Sequence, residues 1–162
     1  MLKIVIGLVL FGLILLVHEG KCCPDGWITH RSACYLFSRE VQTWIGAMQM
    51  CREWEGHLVE IEDVSKNAFL TTYASYRNHK FWIGLTDVVV ENTWVWMDSK
   101  QILYNQNYHN WHKGQPDNLN NDENCVVLDN DFHYQWTDYP CTSLFHYICE
   151  LPEVGIGGIV GR

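Results

Sequence analysis

The sequence is short of the residues that several large classes of partner and chemistry demand. Lys and Arg number 11 against 19 Asp and Glu, a formal net charge of -8, and the basic residues form no cluster. A phosphate backbone is held through basic patches, so nucleic acid is excluded as a partner. Neither His-Glu-x-x-His nor Gly-x-Ser-x-Gly occurs, which removes two common hydrolase signatures. Glu60 and Glu62 come nearest to a pair of catalytic acids, but they follow a helical stretch and alternate as on a strand with one exposed face. His109 and His112 have no evident further ligand for zinc. No internal repeat is found, and no enzymatic activity is expected. The apolar run Ile4 to Val17 covers 14 residues, short of the roughly 20 that a membrane-spanning helix needs.

That run follows Lys3 and precedes the polar step His18-Glu19-Gly20-Lys21, the order of a secretory signal. Residues 1–20 are therefore read as a signal peptide, and the remainder as extracellular, with no membrane insertion once the signal is removed. Thiols pair in that oxidising compartment. Seven cysteines follow the signal: Cys22, Cys23, Cys34, Cys51, Cys125, Cys141 and Cys149. They allow three bridges with one thiol left over, and spacing alone does not choose among the pairings. Adjacent Cys22 and Cys23 place the odd thiol at the amino terminus, where a cap or an intermolecular bridge would use it.

The chain's 162 residues suit a single domain. Eight Trp and eight Tyr are many for this length, and aromatics both fill cores and stack on sugar faces. From Trp27 to Phe37 the residues favour a strand or hairpin. Apolar residues then recur at helical spacing between Thr43 and Trp54, with Thr43 as N-cap and Gly56 as terminator, and again from Asp63 to Tyr76, with Ser65 as cap. Short β-like runs follow at Phe81–Leu85, Thr93–Met97, Cys125–Leu128 and Phe145–Leu151. The stretch 98–124 is polar and far longer than an ordinary connection, so it is either functional or disordered. The tail from Pro152 is rich in glycine. This order is that of an α+β fold.

Within the long loop stands Gln115-Pro116-Asp117, then Glu123 two residues before Cys125, and later Trp136-Thr137-Asp138 before Cys141. Gln115, Asp117, Glu123 and Asp138 offer only oxygen, the donor set of a hard cation such as calcium; zinc would want nitrogen or sulfur. An X-Pro bond adopts cis at low cost, which turns its flanking side chains toward one point. With Cys23-Pro24, Gly26-Trp27, Trp82-Ile83-Gly84-Leu85, Trp94-Val95-Trp96, Glu123-Asn124-Cys125 and Ile148-Cys149-Glu150, the sequence resembles the C-type lectin-like domains that bear Gln-Pro-Asp, with a perlucin-like flavour, over about residues 23–151.

The resemblance implies a double-loop fold of two helices and small antiparallel sheets, with bridges Cys23–Cys34, Cys51–Cys149 and Cys125–Cys141. Cys22 would then be free to link a homodimer. It further implies a principal calcium on Gln115, Asp117, Glu123 and Asp138, whose ligands also meet sugar hydroxyls, galactose-like for Gln-Pro-Asp. Thr137 stands where the family usually has Asn, which implies a weaker contribution to ion and sugar. Asp87 and Glu91, completed by Asn118 and Glu123, match an auxiliary calcium site. Tyr108, His133 and Tyr134 are candidate aromatic platforms for the sugar. The expected function is that of a secreted calcium-dependent lectin for galactose-type glycans, including microbial ones met in innate immunity. The alternatives are a perlucin-like matrix protein of calcium carbonate mineral and a protein-binding domain that kept the fold without calcium.

Overall fold

A computed structural model describes residues 23–152; the expected signal segment, Cys22 and the tail after Pro152 lie outside the described residues. The opening aromatic stretch forms an antiparallel hairpin of β1 (Ile28–His30) and β2 (Ala33–Phe37). Helix α1 (Trp44–Glu53) starts at Thr43, whose hydroxyl accepts the Gly46 N–H, so an otherwise orphaned amide is satisfied. Trp44, Ala47 and Cys51 share its buried face. The helix stops at a residue other than the expected glycine: Glu55 takes the left-handed turn at φ 60°. Gly56 serves close approach instead, since a Cβ there would lie 2.5 Å from the Glu150 carbonyl oxygen. That contact seats β3 (His57–Leu58) against the last strand. Helix α2 (Val64–Ser75) is capped by Asp63, not Ser65, because the Asp63 carboxylate accepts the N–H groups of both Ser65 and Lys66.

The remaining strands are β4 (Phe81–Thr86), β5 (Val95–Trp96), β6 (Cys125–Asp129), β7 (Gln135–Tyr139) and β8 (His146–Pro152). They run in the order β1-β2-β8-β4-β6-β7, with β3 on β8 and β5 on β4. The expectation of antiparallel sheets alone needs correction: β4 and β8 pair in parallel, Phe81 opposite His146, so the sheet is mixed. Strand-forming residues carry no signal of direction, and β8 enters beside β4 only because the chain returns to the middle of the sheet.

Every residue of β4 is buried, as a continuous apolar run on a doubly covered strand should be. Its pleat deals Phe81, Ile83 and Leu85 to one core, with Trp96 and Trp136, and Trp82 to another, with Trp44, Val127 and Cys149. Indole N–H groups buried in these cores find acceptors: Trp82 on the Gln42 carbonyl, Trp44 on that of Ile83 (both 2.9 Å), and Trp136 on Asn67 Oδ1 (3.1 Å). The three bridges are those the resemblance implied: Cys23–Cys34, Cys51–Cys149 and Cys125–Cys141. Beneath α2, buried Lys66 donates to Glu150 at 2.7 Å, and Glu150 also accepts the Tyr35 hydroxyl.

Because Gly56 faces a backbone carbonyl that cannot swing aside, Gly56→Ala is expected to cost about 1–3 kcal/mol, read as a lower urea midpoint. An unchanged midpoint would show that β3 does not need the close approach.

Candidate functional site

The long loop is fastened to β7 before it reaches the carboxylates. Trp136 N–H donates to the Asn110 carbonyl (2.8 Å) and the His112 N–H to the Trp136 carbonyl (2.9 Å), while Trp111 packs edge-on to Trp136. Gly114 then turns at φ 94°, and the Gln115–Pro116 peptide is cis. Asn118, Asn120 and Asn121 all adopt left-handed φ between 45° and 59°. Asparagine tolerates that region better than most side chains, which explains the run of asparagines here.

Asp138 projects from β7 and accepts the backbone N–H groups of Asp117 (3.2 Å) and Asn118 (2.8 Å), one on each oxygen. Glu123 Oε2 accepts the Leu119 N–H at 3.0 Å, and its own N–H donates to Asn118 Oδ1 at 3.1 Å. These bonds bring Asp117, Glu123 and Asp138 together, with one oxygen from each lying within 4.8 Å of the others. Asp117 is exposed, whereas Glu123 and Asp138 are buried. Burial, joined by repulsion from Asp138 and Asp117, pushes the Glu123 carboxyl up to about 7. Burial likewise raises Asp138.

Gln115 Oε1 is buried without a hydrogen-bond partner, an orphaned acceptor one residue before the cis proline. Thr137 does not join the cluster. Successive side chains of a strand point to opposite faces, and the Thr137 hydroxyl donates to Asp129 Oδ2 at 3.0 Å, as does the Tyr139 hydroxyl, while Lys80 pairs with Oδ1 of the same carboxylate.

The residues of the expected auxiliary site meet only in part. The Asn118 amide donates to Glu91 Oε1 at 2.8 Å, and Asp87 Oδ2 accepts the Asn92 N–H at 2.8 Å while its Oδ1 is buried and unpartnered. Burial and the charges of Glu91 and Asp138 push Asp87 up to about 6.

An open cleft of about 320 Å³, at the small end of ligand sites, is lined by Asp117, Asn118 and Asp138 together with Glu91, Asn92 and Trp94. Among the candidate aromatics, Tyr134 is buried, Tyr108 packs edge-on to Trp136, and none of the three lines this cleft. The aromatic there is Trp94, whose place beside the carboxylates has no local sequence signal; Asn92 and Asn121 were missed for the same reason. Glu60 accepts the N–H groups of Asp98 and Ser99, and Glu62 pairs with Lys66, so the two do not act as an acid pair.

The donor set suits a divalent cation of the calcium type. It offers three carboxylates within 4.8 Å of one another, and a carboxylate oxygen that accepts one N–H keeps capacity for an ion. A model of the Lectin C-type domain family matches residues 40–151, and the chain belongs to that family. It is similar to perlucin from Haliotis laevigata, at 36% identity over 82% of this chain and 84% of that protein. It is also similar to perlucin-like protein from Mytilus galloprovincialis, at 33% identity over 88% and 94%. Among solved structures, the mouse scavenger receptor C-type lectin carbohydrate-recognition domain aligns with a TM-score of 0.74 at 31% identity, over 83% of this chain and all of that one. This is a family not known for catalysis, and no catalytic site is evident among the described residues.

The raised Glu123 carboxyl sets a pH dependence. Its folded value of about 7 exceeds the roughly 4.3 of an exposed Glu, so the folded state binds more protons between the two and loses stability as pH rises through that window. In metal-free buffer, Glu123→Gln is expected to raise the melting temperature at pH 7.5 and to lose this advantage by about pH 4.5. Equal melting temperatures at both pH values would refute the raised carboxyl.

Proposed function

We propose that the protein is a secreted lectin that holds calcium through Gln115, Asp117, Glu123 and Asp138 and binds galactose-like glycans at the same place. The observation that carries this reading is the three-carboxylate cluster, with Gln115 two residues before Asp117 and its buried side-chain oxygen unpartnered. Calcium takes six to eight oxygens and tolerates irregular geometry, so four side chains leave positions for a vicinal diol. The buried carboxylates then gain the countercharge they lack. An amide at 115 and a carboxylate at 117 fix which side of the ion donates hydrogen bonds and which accepts, and this order favours one arrangement of hydroxyls. Thr137, turned toward Asp129, adds no oxygen to the set, which lowers calcium affinity relative to an asparagine ligand. Asp87, Glu91 and Asn118 form the auxiliary cation site of this reading, with the unpartnered Asp87 Oδ1 in support.

The signal peptide at 1–20, the domain at 23–151, the tail beyond it and a Cys22-linked homodimer complete the proposal. Covalent pairing would offset the weakness of one shallow site, as binding to microbial glycans in innate defence requires. A second reading, a matrix protein of calcium carbonate mineral, draws on the similarity to perlucin and the net charge of -8.

Purified protein is expected to be retained on immobilised galactose in calcium, released by chelator, and not retained as Asp117→Ala. Stronger retention on mannose would overturn the sugar preference, and adsorption to carbonate without retention on either sugar would favour the matrix reading. Exchanging Gln115→Glu with Asp117→Asn is expected to shift retention from galactose to mannose.

A further inference from the structure

The hairpin of β1 and β2 splays open at one end. Pairing runs from His30 and Ala33 to Ile28 and Tyr35 and stops there, because the Trp27 N–H turns back to the Pro24 carbonyl and Gly26 takes φ 84°. Strand β2 continues along β8 as far as Phe37. The Ser38 N–H that follows donates to the Tyr147 carbonyl, which fixes the phase of the edge. Amide direction alternates along a strand, so the N–H and C=O of Phe37 point away from β8, to the side where β1 has already ended. Neither has a hydrogen-bond partner among the described residues.

A gap of about 460 Å³ opens there, lined by Gly26, Leu36, Phe37, Met50 and Tyr147 together with Arg39 and Arg77. An unpaired amide and carbonyl on a strand edge are a template for one more strand, which would run about 4.8 Å from β2. The Arg77 guanidinium lies over the Phe37 ring at 4.6 Å and donates to the Tyr73 carbonyl at 2.9 Å, so its planar fork is held in place. Asp25 and Glu40 line the gap too, yet among the described residues neither arginine pairs with a carboxylate. Glu40 sides with Tyr147, whose hydroxyl is raised by burial and then by the Glu40 charge. The two guanidinium groups thus stay open to a carboxylate from outside, the partner that their geometry fits best.

We propose that this gap binds an extended peptide of a partner protein as an added strand, paired to the Phe37 backbone, with acidic side chains on Arg39 and Arg77. Side chains of a strand alternate between faces, and Leu36, Met50 and Tyr147 offer the apolar side. The recognised segment therefore alternates acidic and apolar residues. The backbone edge selects a peptide, which presents donor and acceptor at the spacing of a strand. The gap shares no lining residue with the carboxylate cleft, so this binding needs no calcium.

Nuclear magnetic resonance of nitrogen-labelled protein in chelator, titrated to millimolar acetyl-Glu-Val-Glu-Val-Glu-amide, tests it. The Phe37 amide is expected to shift and to gain protection from hydrogen exchange. This peptide should bind at least about tenfold more tightly than acetyl-Lys-Val-Lys-Val-Lys-amide, as charge-assisted contacts to two guanidinium groups require. Methylating the backbone nitrogens of its valines should weaken it to the same degree. Arg39→Gln, at an exposed position, should reduce the preference for the acidic peptide several-fold with an unchanged melting temperature. An unshifted Phe37 amide, equal affinity for the two peptides, or an undiminished preference in the variant would overturn the inference. Binding of dextran sulfate but not of the peptide, lost in the variant, would assign the arginines to anionic glycans and overturn it as well. Retention on galactose is independent of every one of these outcomes, so the lectin reading stands or falls separately.

Discussion

A single buried carboxylate, that of Asp138, takes a backbone amide on each oxygen and so ties a long irregular loop to a regular strand. Everything in the cleft follows from this tie. It places Asp117 and Asn118 over β7, and Asn118 in turn orients Glu123 through its side-chain oxygen. The loop is held by these hydrogen bonds and by the packing of Tyr108 and Trp111 against Trp136. A consequence is that the carboxylate of Asp138 both holds the loop and belongs to the three-carboxylate cluster, so that one cannot be altered without the other.

The amide at position 118 illustrates how closely the local chemistry is matched. Its Nδ2 donates to Glu91 while its Oδ1 accepts from the Glu123 backbone. A carboxylate at 118 could accept but not donate, and would set a further negative charge against Glu91. On the far face of β7, Asp129 gathers Lys80, Thr137 and Tyr139, so that a buried charge there is compensated within the protein. The two faces of one strand thus differ in kind: one is neutralised internally, the other is left with excess negative charge.

Much of this was legible in the sequence where the signal is local or periodic. Thr43 is a cap because a hydroxyl before an apolar helical period has one obvious use, and the helices fall within a residue or two of their periods. The three bridges were legible only through family resemblance, since seven cysteines allow many pairings. The cluster at 117, 123 and 138 could be assembled because oxygen-bearing residues sit at fixed offsets from those bridges. What escaped the sequence depends on phase or on distant neighbours. The side of β7 that Thr137 faces is decided by the pleat, the parallel pairing of β8 by the path of the chain, and the work of Gly56 by a carbonyl 94 positions further on. Trp94 reaches the cleft only through tertiary packing. Asp63 displaced Ser65 as the cap because a carboxylate accepts two amides at once.

The strand order also separates the ends of the described chain from the cleft. Cys23 is bridged to Cys34, which lies opposite Leu151, so both ends of the domain leave from neighbouring positions around β2 and β8. The cleft is built on β7, at the other edge of the sheet. A stalk, a linker or a surface joined at either end would therefore meet the sheet with β4 and β6 standing between it and the strand that carries Asp138.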